Sequence, residues 1–293
     1  MLNIFKSMAF SYKRTTLKQL ILVSVALCGM MTGSAIAAET KDWNRSNEAS
    51  QNVVNHQSWQ LILDRYLETN APSKVNLFRY SSVSKADRAT LESYLNMLQK
   101  TDPRDYSKKE QKAYWINLYN ALTVELILKN YPVKSITKLG ESIFAFGPWD
   151  DEVTKVAGRK LSLNDIEHKI LRPIWKDPRI HYAVNCASFS CPNLSSKAFT
   201  SPNTNELLEN GARAYVNHPR GVNLKKGDLL LSSIYDWYID DFGGDHKSLL
   251  KHLKHYAKPK LKKQLELFEQ TNSGDIDHDY NWNLNEPSAS SSK

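Results

Sequence analysis

Residues 113–128 read AYWINLYNALTVELIL. At about 3.6 residues per turn, the apolar side chains of this run fall on every side of a helix. Such a helix is stable only when neighbours cover it all round, so the domain is expected to form about it. Ser107 with Glu110 three residues on makes a capping box, and Pro132 stops the helix, giving a span of 108–130. Asn117 and Asn120 interrupt the apolar surface three residues apart. Buried amides need partners. They either tie down neighbouring loop backbone or line a site as an orienting or oxyanion-binding group.

Outward from this helix the pattern alternates between short helices and short strands. Trp59, Leu61, Ile62, Leu63, Tyr66 and Leu67 recur at helical spacing, and Pro72 ends that helix. Leu77–Val83 (LFRYSSV) reads as a short strand, and Ser84 caps a helix over 85–100. Val153–Leu161 reads as a hairpin turned at Ala157-Gly158. Ser162 and Asp165 cap a helix over 163–174, and Ile180–Asn185 reads as a strand. An amphipathic helix follows over 204–217, then a hairpin around Lys226-Gly227-Asp228. Short helices over 249–256 and 261–268 and a late strand within 275–284 complete the pattern. It predicts one α+β domain over 56–284, with a mainly antiparallel small sheet packed against several helices. A polar leader over 38–55 and a Ser-rich, disordered tail over 285–293 flank it.

The chain has 293 residues, 41% hydrophobic and 24% charged, an ordinary globular composition. Its N-terminus has the form of a secretory signal. Lys6, Lys13, Arg14 and Lys18 precede an apolar segment over 20–31, and Ala35-Ile36-Ala37 supplies the small-residue cleavage pattern. Cleavage is expected after Ala37, or alternatively after Ala38, which makes the product periplasmic or secreted. Losing residues 1–37 removes four basic residues and no acidic one, lowering the formal charge from +8 to +4. That charge does not favour nucleic acid as a partner. No later stretch is long and apolar enough to span a membrane.

Both cysteines beyond the signal lie in PRIHYAVNCASFSCPNL, residues 178–194. In an oxidising compartment Cys186 and Cys191 are candidates for a disulfide. Alternatively Cys186 is a reactive thiol, with Cys191 either inert or resolving its oxidised form. On a strand over 180–185, His181 shares a face with Ala183 and Asn185, away from Cys186. The expected base is therefore His168, with Asp236 or Asn117 orienting its ring. Glu167 falls inside the apolar stripe of its helix, where a carboxylate must be paired, protonated or functional. His168, His181, Cys186 and Cys191 match no standard zinc spacing, and no metal or cofactor is expected. Ser232–Phe242 (SSIYDWYIDDF) adds Asp236, Asp240 and Asp241, which either cap helices and face solvent or act as paired carboxylates.

Four blocks in order, AYWINLYNAL (113–122), LSLNDIEHKILR (161–172), HYAVNCASFSCP (181–192) and LSSIYDWYIDDFG (231–243), resemble the domain of unknown function 547 family. The resemblance covers about residues 106–284. It implies that Asn117, Asn120, Glu167, His168, His181, Cys186, Asp236 and Trp237 occupy motif positions. Cys191 is less tied to the motif, since plant members carry Ser there. Fusion of some relatives to glutaredoxin-like domains hints at thiol chemistry. The resulting expectation is an exported Cys-His enzyme-like domain performing acyl transfer, hydrolysis or thiol redox chemistry on a peptide, ester or envelope component. The alternative is a non-catalytic binding domain in which the same residues form a buried polar network and the aromatic loop 143–149 is the recognition surface.

Overall fold

The computed structural model describes Thr40 and residues 42–140, 147–225, 227–271 and 274–287. The expected signal peptide lies outside these residues, as do 143–146 of the aromatic loop, Lys226 of the second hairpin and 288–293 of the tail. The chain divides into two compact units, Met1–Arg45 and Ser46–Lys293. In the first, Asn44 N donates to Thr40 O at 2.9 Å, forming one helical turn.

The second unit begins with α1 (Gln57–Tyr66), which runs into β1 (Leu67–Glu68). β1 pairs antiparallel with β2 (Leu77–Phe78). The expected strand stops there, because the chain turns into a 3₁₀ segment at Tyr80–Ser82. Next come α2 (Lys85–Lys100) and α3 (Lys108–Asn130). α3 is the helix of the apolar run, and Trp115, Ile116 and Leu118 are wholly buried in it. It packs against α2 and the segments that follow. Ser107 caps it by accepting from Glu110 N. Glu110 does not close the box, because its Oε1 accepts from Val54 N at 2.8 Å and ties the preceding segment to the helix start. Truncating Trp115 to Ala in such a core costs about 3–5 kcal/mol.

β3 (Thr154–Val156) and β4 (Arg159–Leu161) form the expected hairpin. Ala157 and Gly158 both take positive φ at its turn, which suits a right-twisted two-residue loop. After the hairpin, Asp165–Leu171 winds as a π-helix and continues as α4 (Arg172–Trp175). Arg172 N bonds Glu167 O, five residues back. The sequence supplies a reason in Pro173: its ring has no N–H and crowds the carbonyl one turn earlier, and a wider turn relieves the crowding.

The expected strand over 180–185 does not form. Pro178–Tyr182 is a 3₁₀ turn capped by Asp177, whose side chain accepts from Arg179 N, and irregular chain follows. Asp177-Pro178 is a start signal for a turn of helix, and this local chemistry outweighs the alternation of apolar side chains.

α5 (Thr204–Val216) precedes β5 (Val222–Lys225) and β6 (Asp228–Ser232). Then follow α6 (Ile234–Trp237), a 3₁₀ turn at Ile239–Phe242, α7 (His246–Tyr256), α8 (Pro259–Thr271) and β7 (Ile276–Asp279). β5 and β6 are antiparallel, while β6 and β7 are parallel, with Leu231 opposite His278. An aromatic core of Tyr182, Tyr215, Tyr235 and Phe242 with leucines of α7 packs beneath this sheet. The second unit is thus an α+β domain with small, mainly antiparallel sheets. Among the described residues no helix is long and apolar enough to cross a membrane.

Candidate functional site

Asn120, inside α3, determines where the thiol loop lies. Its Nδ2 donates to Ala183 O at 2.9 Å, and its Oδ1 accepts from Asn185 N at 2.8 Å. Asn185 passes the constraint on: its Nδ2 donates to Pro192 O at 2.7 Å and its Oδ1 accepts from Ala187 N at 2.9 Å. Ala187 has φ +58°, a left-handed conformation that costs free energy without glycine, so the Asn185 bond holds a strained turn beside Cys186. Arg220 secures the far side of the loop, donating to Phe189 O and to Asn193 Oδ1 at 3.0 and 2.5 Å.

The loop brings the two cysteines together as free thiols. Their sulfurs lie 3.1 Å apart, and Cys186 N donates to Cys191 Sγ at 3.0 Å. Ser188 Oγ and Tyr280 Oη each lie 3.2 Å from Cys186 Sγ. Cys191 is buried and Cys186 partly exposed. Burial pushes the Cys191 thiol well above its usual value, so it keeps its proton and donates to Cys186. That hydrogen bond, helped by Ser188 and Tyr280 and opposed by burial, lowers the Cys186 pKa to about 7. A thiol in this range is substantially ionised at neutral pH.

A second polar group stands on the neighbouring turn. His181 Nε2 lies 2.6 Å from Asp241 Oδ2, and its Nδ1 lies 3.6 Å from Glu167 Oε1. Its ring stacks on Tyr238 with centroids 4.2 Å apart. The Arg172 guanidinium also lies over Tyr238, at 4.8 Å, and donates to Asp241 at 2.5 Å. Although burial opposes it, hydrogen bonds from His181 and Arg172 hold the Asp241 carboxyl well below the usual range. Glu167 is buried, in keeping with its place in the apolar stripe.

Cys186, Cys191, Glu167 and His181 line one cavity of about 680 Å³. Its aromatic wall comprises Trp149, Trp237, Tyr238, Tyr280 and Trp282, and Asp150, Asp151 and Asn164 add polar groups. Trp237, Tyr280 and Trp282 pack on one another with centroid separations of 4.5 to 5.5 Å.

The candidate residues separate into two sets. The cavity brings together Cys186, Glu167 and His181. His181 had been assigned to the face away from Cys186, and the absence of the strand removes that ground. His168, Asn117 and Asp236 are not among the lining residues. His168 Nδ1 lies 3.0 Å from an Arg172 guanidinium nitrogen, and burial lowers its pKa. Asn117 donates to Phe199 O at 2.7 Å and accepts from Phe199 N at 2.9 Å. Asp236 is exposed on α6. Asn117 and Asn120 both tie loop backbone. Sequence reasoning missed Ser188, Tyr280 and the pairing of Asp241 with His181. Ser188 lies two residues from Cys186 and was detectable; Tyr280 sits 94 residues away and had no local signal. Among the described residues no group of His, Cys, Asp and Glu is arranged to hold a metal ion.

These features define an α+β domain with a thiol pair set into an aromatic-walled cavity. Residues 103–216 match the family described as "Protein of unknown function, DUF547". The match takes in α3, the π-helix, the thiol loop and α5, while Asp241, Tyr280 and much of the aromatic wall lie beyond it. Comparison with curated proteins and with solved structures gave no match.

Proposed function

We propose that the domain is a thiol–disulfide exchange enzyme in which Cys186 is the attacking sulfur and Cys191 the resolving one. The observation that carries this reading is the 3.1 Å contact between a lowered-pKa thiol on a cavity and a second, buried free thiol. A disulfide bond is about 2.05 Å long, so closure needs a shift of only about 1 Å. Export through the proposed signal would place the pair in a compartment where disulfides form.

The exchange balances as follows. The Cys186 thiolate attacks one sulfur of a substrate disulfide, forming a mixed disulfide and expelling the other half as a thiolate, which takes the Cys191 proton. Cys191 then attacks Cys186 Sγ, forming the 186–191 disulfide and releasing the second half. Two electrons pass from the cysteine pair to the substrate, and an external thiol resets the pair by the reverse exchange. Cys186 has hydrogen-bond contacts to Ser188, Tyr280 and Cys191, with no imidazole among them. This favours exchange over acyl transfer, which needs a proton donor for its leaving group. His181 and Glu167 in the same cavity lend acyl transfer or hydrolysis its support as a second reading.

The test is oxidation of the full chain with bis(2-hydroxyethyl) disulfide, acid quenching and peptide mapping, which separates these thiols from Cys28. Wild type should yield a 186–191 disulfide. Cys191→Ser should accumulate the mixed disulfide on Cys186, and Cys186→Ser should leave Cys191 reduced. A folded wild type that stays reduced while its unfolded form reacts would sink the proposal. Release of product from thioester or ester probes by Cys191→Ser would favour acyl transfer.

A further inference from the structure

We infer that the lysine-rich segment 246–263, together with the exposed Leu267, docks the domain on the surface of an anionic lipid bilayer. The inference stands apart from the thiol chemistry and rests on how charge is distributed along the chain. The unit Ser46–Lys293 has 33 Lys and Arg against 29 Asp and Glu, a formal charge of +4. Residues 246–263 hold seven lysines and no Asp or Glu, so the rest of the unit carries −3. The positive surplus therefore belongs to α7, the start of α8 and the turn between them.

Most of that charge is unanswered within the protein. Lys254 pairs with Glu269 at 2.5 Å, and Lys247 stands near Asp245. Lys251, Lys258, Lys260, Lys262 and Lys263 are exposed and form no ion pair among the described residues. At about 1.5 Å of rise per residue, all five lie in the turn or within about 8 Å of it along a helix axis.

An apolar side chain accompanies these lysines. Leu267 is 59% exposed, an unusual state for a leucine on a helix that packs into the core. Lys260, Lys263 and Leu267 follow one another at spacings of three and four along α8, which puts them on one stripe, while Leu265 and Phe268 are buried. Such a stripe suits a bilayer surface. The ammonium groups meet lipid phosphates, and the leucine enters the acyl boundary with the lysine stems beside it. A polyanion in water, such as nucleic acid, answers the charge and offers no apolar layer to receive Leu267.

The test is co-sedimentation of the full chain with vesicles of equimolar phosphatidylglycerol and phosphatidylcholine, against phosphatidylcholine alone. Wild type should bind the anionic vesicles at least about tenfold more tightly, with the advantage falling as salt rises. The triple substitution Lys258→Gln, Lys260→Gln and Lys263→Gln should weaken that binding about tenfold or more, and Leu267→Ser, at unchanged charge, about fivefold. All four positions are exposed, so the fold should persist, as circular dichroism will read. Every variant keeps residues 1–45, so any membrane affinity of that segment is common to all of them. Lysine acetylation with peptide mapping then locates the contact. Anionic vesicles should protect Lys258, Lys260, Lys262 and Lys263, while the exposed Lys155 of β3 stays reactive. Vesicle affinity unmoved by the lysine substitutions or by Leu267→Ser would overturn the inference, as would equal protection of Lys155. Binding of duplex DNA that survives Leu267→Ser, with the same lysines still reactive on vesicles, would overturn it in favour of a polyanion.

Discussion

Cys186 Sγ and Cys191 Sγ stand 3.1 Å apart as free thiols lining one cavity, the first partly exposed and the second buried. The two respond oppositely to one environment. Burial raises Cys191, and the proton it retains stabilises the Cys186 thiolate. Replacing Cys191 by Ala removes the largest cause of the lowered Cys186 value. Alkylation of wild type should reach half its maximal rate near pH 7. In Cys191→Ala that midpoint should rise by about one unit, the loss of one hydrogen bond to an ion of about 1.5 kcal/mol.

Tyr280→Phe removes one of the two hydroxyls beside Cys186 and leaves the ring in the aromatic wall. The thiol midpoint should rise by a smaller amount than in Cys191→Ala, because the Ser188 hydroxyl, 3.2 Å from the sulfur and relieved of its bond to Tyr280, is then free to donate to it. Thiolate ultraviolet absorbance against pH reads the shift. A midpoint unchanged from wild type would show that Tyr280 does not donate to the thiolate.

His168 bonds Arg172, with no contact to Cys186. His168→Ala should therefore leave the pH profile of Cys186 alkylation within about twofold of wild type, since a general base acts only within hydrogen-bond reach. A large slowing confined to neutral pH would return His168 to the role that the sequence suggested for it.

Asp177 pairs with Lys112 of α3 at 2.7 Å and with Arg179 at 2.9 Å, tying the turn that bears His181 to the central helix. Burial opposes its ionisation, yet hydrogen bonds from Arg179 and Lys112 lower its pKa from 3.8 to about 2. A carboxyl lowered in the folded state stabilises it above its unfolded pKa, and that contribution fades as pH falls through the folded value. Asp177→Asn keeps the cap acceptor and should cost about 2 kcal/mol at pH 7. Urea denaturation should show the gap closing between about pH 4 and pH 2.

Asn117 and Asn120 make similar pairs of buried bonds to different loops. Substituting either with Ala should cost about 2–4 kcal/mol by leaving backbone groups unpaired. Only Asn120→Ala should also move the Cys186 midpoint, because its loop carries the thiols. Equal thiol profiles in the two variants would mean that the Arg220 bonds suffice to hold that loop.

The sequence by itself determined what adjacent residues can decide. The apolar run 113–128 required a covered helix, Ser84 and Ser107 began helices, and Ala157-Gly158 turned a hairpin. Each depends on backbone chemistry within a few positions. Local rules also produced the one misread element near the site: alternation suggested a strand over 180–185, whereas Asp177-Pro178 started a 3₁₀ turn. Tertiary structure alone decided which groups meet. Tyr280 reaches Cys186 across 94 positions, and Asp241 reaches His181 across 60. Those meetings follow from β7 pairing with β6 and from the turn after α6, because packing, unlike spacing along the chain, sets distances between remote side chains.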